Sequence, residues 1–236
     1  MSQPEMIAGV IGGMGPEATV DFLRRVVAAT PAADDVDHIR VLVDNNPKIP
    51  SRLAALVDGN GEDPLPSLIA MALGLKRQGA QFLVIPCNTA HYYLPRIAEA
   101  VQLPVIDMVG LAISKLGEFS PRPRKIGMLA SPAVQKVGLY AHRLEDKGYI
   151  ALFPDDEGEA RMLGVIRAVK AGRATDEIKR DYDDVASSLE RAGADGFIIA
   201  CTELSVLGPP QSTRLPWVDA LEELAKTTVW VAKGAI

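Results

Sequence analysis

Short apolar runs alternate along the chain with longer stretches in which apolar residues recur every three or four positions. The first pattern is that of buried strands, the second that of helices packed against them. Met6–Ile11 reads as a strand, followed by a Gly-rich turn and a helix from about Pro16 to Ala29, with Pro16 suited to the first helical turn. His38–Asp44 reads as the next strand, and the Gly-, Pro- and acid-rich stretch Asp58–Pro66 as a loop. A helix over Leu68–Gln78, closed by Gly79, leads to the strand Phe82–Pro86, which runs into Cys87. A helix over Ala90–Ala100, a short strand Val105–Asp107 and a helix to about Leu116 follow.

After the loop Ser120–Arg124 the order begins again. Strand Lys125–Ala130, helix Gly138–Lys147, strand Ile150–Phe153, helices near Glu157–Ala171 and Asp176–Ala192, and strand Gly196–Ala200 ending at Cys201 are predicted, then a last strand Leu215–Val218. Asp219 is placed to cap a final helix, with Glu222 three residues on at capping-box spacing. Leu221, Leu224, Ala225, Thr228 and Val231 give that helix one mostly apolar face.

Strand–helix alternation implies an α/β fold with parallel sheets, and the restart implies an internal duplication. Ile126-Gly127-Met128-Leu129 repeats Ile11-Gly12-Gly13-Met14 at an offset of 115 (126 against 11), and Cys201 repeats Cys87 at an offset of 114 (201 against 87). The expectation is two pseudo-symmetric, doubly wound parallel-sheet domains with the active site in the cleft between them. The first comprises residues 1–112 and 215–236 and carries Cys87; the second comprises 113–214 and carries Cys201.

Composition narrows the function. The 236 residues include few aromatics, and the net charge is −5. No Lys/Arg-rich run marks a nucleic-acid face; the basic cluster Arg122, Arg124, Lys125 is interleaved with prolines and reads as a solvated loop. Met1–Val10 has no basic segment followed by a long apolar one, so neither a signal peptide nor a membrane span is read, and the expected compartment is the cytoplasm. Two cysteines there are free thiols rather than a disulfide. No metal-ligand spacing is present, and no metal is expected.

A lone free cysteine is most often a small buried hydrophobe. Two in one register of a repeat, each at the carboxyl end of a strand where open α/β sheets bind ligands, are more than that. Thiols on opposite sides of one substrate suit a carbon that loses a proton on one face and gains one on the other, which is racemisation at an amino-acid Cα. The α-proton is far less acidic than a thiol, so preorganised donors must stabilise the developing charge and water must be excluded. A thiol just before a helix start is expected to have its thiolate favoured, and both cysteines precede possible helix starts.

The neighbouring residues admit two readings each. Gly13, Gly15 and Ala18 formally satisfy a dinucleotide fingerprint, with Asp44 as the ribose carboxylate, but Pro16 removes a backbone donor; a carboxylate-binding or purely structural turn are the other readings. Arg52 is either a carboxylate clamp or a solvated loop arginine. His91 either holds the helix start or tunes the Cys87 thiol. Glu203 either binds an ammonium group or assists proton transfer, or is an acid at a helix N-terminus. Lys170, at spacings of four from Ile166 and Met162, either points inward or complements a helix C-terminus.

With these segments assembled, the chain resembles the aspartate/glutamate racemase family, and within it the aspartate racemase branch. The resemblance runs from Gly9 to about Leu207 and rests on Gly12-Gly13-Met14-Gly15-Pro16-Glu17-Ala18-Thr19, Asn46-Pro47-Lys48-Ile49-Pro50-Ser51-Arg52, Gly59-Asn60-Gly61-Glu62-Asp63-Pro64, Pro86-Cys87-Asn88-Thr89-Ala90-His91, Val169-Lys170-Ala171-Gly172 and Ala200-Cys201-Thr202-Glu203-Leu204. It implies two similar α/β domains, a homodimer, a small-molecule amino-acid substrate, no pyridoxal phosphate or other cofactor, and a last helix packed back on the first domain. It also implies that Cys87 and Cys201 are the acid/base pair and that Arg52 and Lys170 contact substrate carboxylates. The resemblance further implies that Met14, Asn88 and Thr89 surround the substrate, and Ser131 and Thr202 are expected as further contacts, with Gly13, Gly15, His91 and Glu203 in support.

One turn departs from the pattern. The family's Ala-Thr-x-Gly-Thr after the fourth long strand reads Ala130-Ser131-Pro132-Ala133-Val134, which removes a glycine and a hydroxyl donor, with Ser131 the residue that would compensate. The expected activity is cofactor-independent racemisation of an amino acid, aspartate first and glutamate or another amino acid as the alternative. A maleate-isomerase-like enzyme with Cys87 as nucleophile, and a catalytically silent binding protein of the same fold, are the other readings.

Overall fold

The computed structural model describes residues 5–234. The chain forms two compact units, Met1–Met108 with Leu221–Ile236, and Val109–Ala220. In the first, β1 (Ala8–Gly12), α1 (Pro16–Ala29), β2 (Val41–Asn45), α2 (Leu65–Arg77), β3 (Phe82–Val84), α3 (Leu94–Val101) and the start of α4 (Met108–Lys115) follow in order. The strands form a parallel sheet of order β2-β1-β3, with Val10 beside both Val43 and Val84, and Val105 adds a single parallel bridge to Leu83. The central strand β1 is buried throughout, while edge strand β2 is half-exposed.

The second unit repeats this plan. β4 (Lys125–Ala130), α5 (Pro132–Lys136), α6 (Ala141–Glu145), β5 (Ile150–Leu152), α7 (Asp156–Lys170), α8 (Asp176–Arg191), β6 (Gly196–Ala200), α9 (Thr202–Leu207) and β7 (Trp217–Asp219) form a parallel sheet of order β5-β4-β6-β7. Replacing each strand by its counterpart in the first unit gives the order β2-β1-β3 followed by the Val105 bridge, so the duplication inferred from residue offsets is a duplication of topology. In each unit the chain moves outward from the first strand to one neighbour and then returns to the other side, which makes both sheets doubly wound, with a switch point between β1 and β3 and between β4 and β6.

Helix formation follows the apolar period. Ala18, Phe22 and Val26 of α1 are buried at spacings of four, and Tyr182, Val185, Ala186 and Leu189 form the buried stripe of α8. The side chains of Asp155 and Thr175 cap α7 and α8 by accepting the N–H groups of Gly158 and Ile178. The last helix, α10 (Ala220–Ala232), returns to the first unit: Arg25 on α1 meets Glu222 at 3.0 Å, and the Met6 N–H donates to the Ala232 carbonyl at 2.8 Å.

Several segments differ from expectation. The helix expected over Ala90–Ala100 is a 3-10 turn, Thr89–Tyr93, followed by α3; Pro95 has no N–H to continue an i−4 ladder and instead serves a new first turn. The helix expected over Gly138–Lys147 is shortened to α6, Ala141–Glu145, and a further short helix, α5, precedes it, with Gly138 at φ +62° turning the chain between the two. Val105–Asp107 contributes one bridge rather than a strand. The strand expected in the first domain from 215 is β7, which pairs with β6 in the second unit, Ile198 beside Val218, so the return to the first unit begins at Leu221. Glu222, expected in a capping box, directs its two oxygens to Arg25 and Lys226.

Candidate active site

Both cysteines lie just beyond the carboxyl end of a strand that borders a switch point, Cys87 after β3 and Cys201 after β6. Each is 6 % exposed, so each thiol is nearly desolvated.

In the first unit the turn after β1 is pressed against the loop after β2. Gly13 has φ +94°, its N–H donates to Thr19 Oγ1 at 2.9 Å, and a Cβ placed on it would lie 2.3 Å from the Asn46 carbonyl. Only glycine satisfies both the backbone angle and the contact. Gly15, the residue before α1, has φ −101°, a conformation open to any residue. Met14 is buried in the cluster that also holds Ile11, Ile49, Ile85 and Cys87. Arg52 is half-buried and held by backbone carbonyls, Nη1 donating to Pro50 (2.9 Å) and Ile49 (3.4 Å) and Nη2 to Met14 (3.5 Å). It is therefore oriented by its own loop rather than freely solvated.

Around Cys87 the chain turns sharply, the Cys87 N–H donating to the Ile85 carbonyl at 2.7 Å. Asn88 is buried and Thr89, half-buried, begins the 3-10 turn. His91 is buried with both ring nitrogens engaged: Nδ1 is 2.9 Å from the Cys87 carbonyl, and Nε2 accepts the Met108 N–H at 3.1 Å. Since a backbone N–H can only donate, Nε2 is the acceptor and Nδ1 carries the proton to Cys87.

In the second unit Cys201 Sγ donates to Glu203 Oε2 at 3.2 Å, and Glu203 Oε1 lies 3.5 Å from Lys170 Nζ. Lys170 stands at the end of α7 with its side chain 46 % exposed, so the inward-pointing reading becomes a partly solvated lysine whose ammonium meets the buried carboxylate of Glu203. Burial, and then the Glu203 charge and hydrogen bond, push the Cys201 thiol well above the ordinary thiol range, with Lys170 opposing. This corrects the expectation of a favoured thiolate: α9 has only six residues, and desolvation with an adjacent carboxylate outweighs its helix start. Thr202 beside Cys201 is fully buried.

Ser131 precedes α5 in an extended conformation, at the end of β4 where Ala130 pairs with Ala200. Val134 is 0 % exposed and its N–H donates to the Ser131 carbonyl at 3.0 Å, so this turn presents a core side chain and an occupied amide.

Two groups near Cys201 were not anticipated. Ser205 donates its hydroxyl to Asp219 Oδ1 at 2.7 Å, and both are buried, a partner for Asp219 that its place before the last helix does not predict. The Tyr182 hydroxyl is buried with no hydrogen-bond partner among the described residues, and its burial, then the Asp219 charge, raise it well above the ordinary phenol range. Among the described residues no three His, Cys, Asp or Glu side chains form a metal-holding group, and no helix is long and apolar enough to cross a membrane.

Comparison with known proteins bears on these arrangements. The family model described as Asp/Glu/Hydantoin racemase matches residues 11–228. The chain is 26 % identical over 227 residues to the broad specificity amino-acid racemase RacX of Bacillus subtilis, covering 94 % of this chain and 96 % of the other. It is 35 % identical over 134 residues to the glutamate racemase of Aquifex pyrophilus, covering 56 % of this chain and 50 % of that one. The solved structure of Picrophilus torridus aspartate racemase superposes with a TM-score of 0.86 at 28 % identity, covering 96 % of this chain and 94 % of that one.

Proposed function

The chain belongs to the Asp/Glu/hydantoin racemase family and is an isomerase of the amino-acid racemase kind; from that premise we propose that it racemises aspartate without an organic cofactor, with Cys87 and Cys201 as the two acid/base groups. The observation that carries this reading is the equivalence of the two thiols, each nearly buried at the end of the corresponding strand of a repeated sheet.

One cysteine, as thiolate, removes the Cα proton of one enantiomer. The electron pair left on Cα is delocalised into the α-carboxylate, and the other cysteine, as thiol, delivers its proton to the opposite face. The enzyme ends with its two protonation states exchanged, ready for the reverse direction. The resting acid is Cys201, whose thiol is kept protonated by burial and by Glu203. Arg52, fixed by three carbonyls, presents a planar cation to a substrate carboxylate, and Lys170 supplies a second positive charge. Met14, Asn88, Thr89, Ser131 and Thr202 complete the substrate surroundings, with Gly13 and His91 holding the backbone beneath.

Aspartate is preferred because an aspartate racemase is similar over nearly the whole chain and because two cations match two carboxylates. A wider substrate range is the second reading. It is favoured by the Lys170–Glu203 pair, which offsets the charge a side-chain carboxylate would use, by the occupied turn at Ser131–Val134, and by the similarity to a broad specificity racemase.

Incubation of single enantiomers of aspartate, glutamate and neutral amino acids in heavy water, without added cofactor, tests both readings. Deuterium at Cα and appearance of the opposite enantiomer are expected with aspartate fastest. Comparable rates with neutral amino acids would favour the wider range. A trapped covalent cysteine adduct, or tight binding, with no exchange for any amino acid would overturn racemisation.

A further inference from the structure

His91 and Ser205 occupy the same register of the duplication. Each lies four residues after its cysteine, and they are 114 positions apart (205 against 91), the offset of the cysteines themselves. The side chains differ, yet each residue ties its cysteine to the next part of its own unit. In the first unit His91 Nδ1–H donates to the Cys87 carbonyl at 2.9 Å, and Nε2 accepts from Met108 N–H at 3.1 Å, just after the segment that bridges β3 through Val105. In the second unit the Ser205 N–H donates to the Cys201 carbonyl at 3.1 Å, and its hydroxyl donates to Asp219 at the end of β7, which pairs with β6. The Ser205 hydroxyl oxygen also lies 3.5 Å from the Cys201 carbonyl, but its one proton is taken by the carboxylate at 2.7 Å. All three side chains are buried, His91 at 4 %, Ser205 at 2 % and Asp219 at 3 % exposure. Buried polar groups in such chains are costly to leave unmatched, so the bonds are held firmly.

We propose that His91 in one unit, and Ser205 with Asp219 in the other, are positioning residues: the His91 side chain holds the Cys87 carbonyl directly, while the Ser205–Asp219 bond anchors the turn of α9 whose Ser205 N–H holds the Cys201 carbonyl, so that each brace fixes the direction of one thiol. The proposal rests on the two-thiol reading above. Proton transfer to carbon needs the sulfur close to Cα and aligned with the breaking bond, and a displacement of about 1 Å costs roughly a hundredfold in rate. The polar atoms of each brace are bonded within its own unit, so each is expected to act on turnover through one thiol only.

The test is face-selective exchange in heavy water. When one thiol is misplaced, the other still removes a proton from the enantiomer it serves and returns a deuteron to the same face, so exchange outruns inversion for that enantiomer alone. Cys87→Ser and Cys201→Ser establish which enantiomer each thiol serves. Ser205→Ala is expected to lower kcat roughly tenfold to hundredfold with KM unchanged, and to show exchange with retention for the same enantiomer as Cys201→Ser. His91→Phe is expected to do the same for the enantiomer that identifies Cys87→Ser. Asp219→Asn keeps an acceptor oxygen but loses the charge, and is expected to follow Ser205→Ala with a smaller fall; it carries the test for the second unit if Ser205→Ala does not fold. His91→Gln, which retains a donor and an acceptor, does so for the first and is expected to recover part of the lost rate.

Folded brace variants that racemise at the parent rate, or that lose exchange of both enantiomers equally, would overturn the braces while leaving the two-thiol reading intact. Full racemisation by either cysteine variant would instead overturn the two-thiol reading itself.

Discussion

Gly13 shows how much one residue constrains at the mouth of the first sheet. Its φ of +94° lies where side chains are disfavoured, and the space a Cβ would need is filled by the Asn46 backbone at 2.3 Å. Gly13→Ala is expected to destabilise the first unit by about 1–3 kcal/mol and to displace Met14, whose carbonyl helps hold Arg52. The expected result is a lower melting temperature with KM for substrate raised; an unchanged KM in the folded variant would disconnect the turn from binding. The Gly-rich turn was evident from sequence, but its reason was not. A fingerprint of glycines does not reveal whether they admit a ligand or a neighbouring loop, and here Gly13 admits a loop while Gly15 has an ordinary φ. Likewise the sequence named His91 but not its two bonds, because Met108 is seventeen residues away and meets it only in the folded unit.

At the scale of elements, the two long central strands of the second unit were the most legible feature and short helices the least. β4 and β6 have the bounds that their continuous apolar runs predict, since a strand buried on both faces needs no other pattern. The segments that carry Pro95, Gly138 and Pro132 break into turns of five to eight residues, where local backbone chemistry overrides periodicity. The pairing of Lys170 on α7 with Glu203 on α9 is not legible in the sequence, because nothing in residue spacing shows that the end of one helix meets the start of another.

That pairing has a measurable consequence. Burial is the largest cause raising the Cys201 thiol, and the Glu203 charge the next. A raised thiol is protonated below its own pKa, so alkylation, which needs the thiolate, rises with pH into a range above that of an ordinary thiol, near 8.5. In a Cys87→Ser background, Glu203→Gln removes the carboxylate charge and leaves Lys170, so the alkylation profile of Cys201 with iodoacetamide is expected to move to lower pH while staying above the ordinary thiol range. A profile that is unmoved or displaced upward would show that Glu203 does not govern this thiol.

For the whole molecule, the repeat was visible from two offsets one residue apart, and it is realised as two sheets of matching strand order. The assignment of β7 was not visible: a three-residue strand near a domain return has too little pattern to say which sheet it joins, and only its pairing with β6 decides. Substrate choice was the least legible property, because the proposed recognition by Arg52 and Lys170 turns on whether their charge is already balanced, as that of Lys170 is by Glu203. The proposed reaction rests on something simpler, that both thiols of a duplicated chain are needed for one racemisation. The most direct measurement is the initial rate of inversion of a single aspartate enantiomer by the parent protein, Cys87→Ser and Cys201→Ser, each verified as folded. Loss of inversion in both variants, with heavy-water exchange retained for opposite enantiomers, is the expected result; inversion at the parent rate in either variant would contradict it.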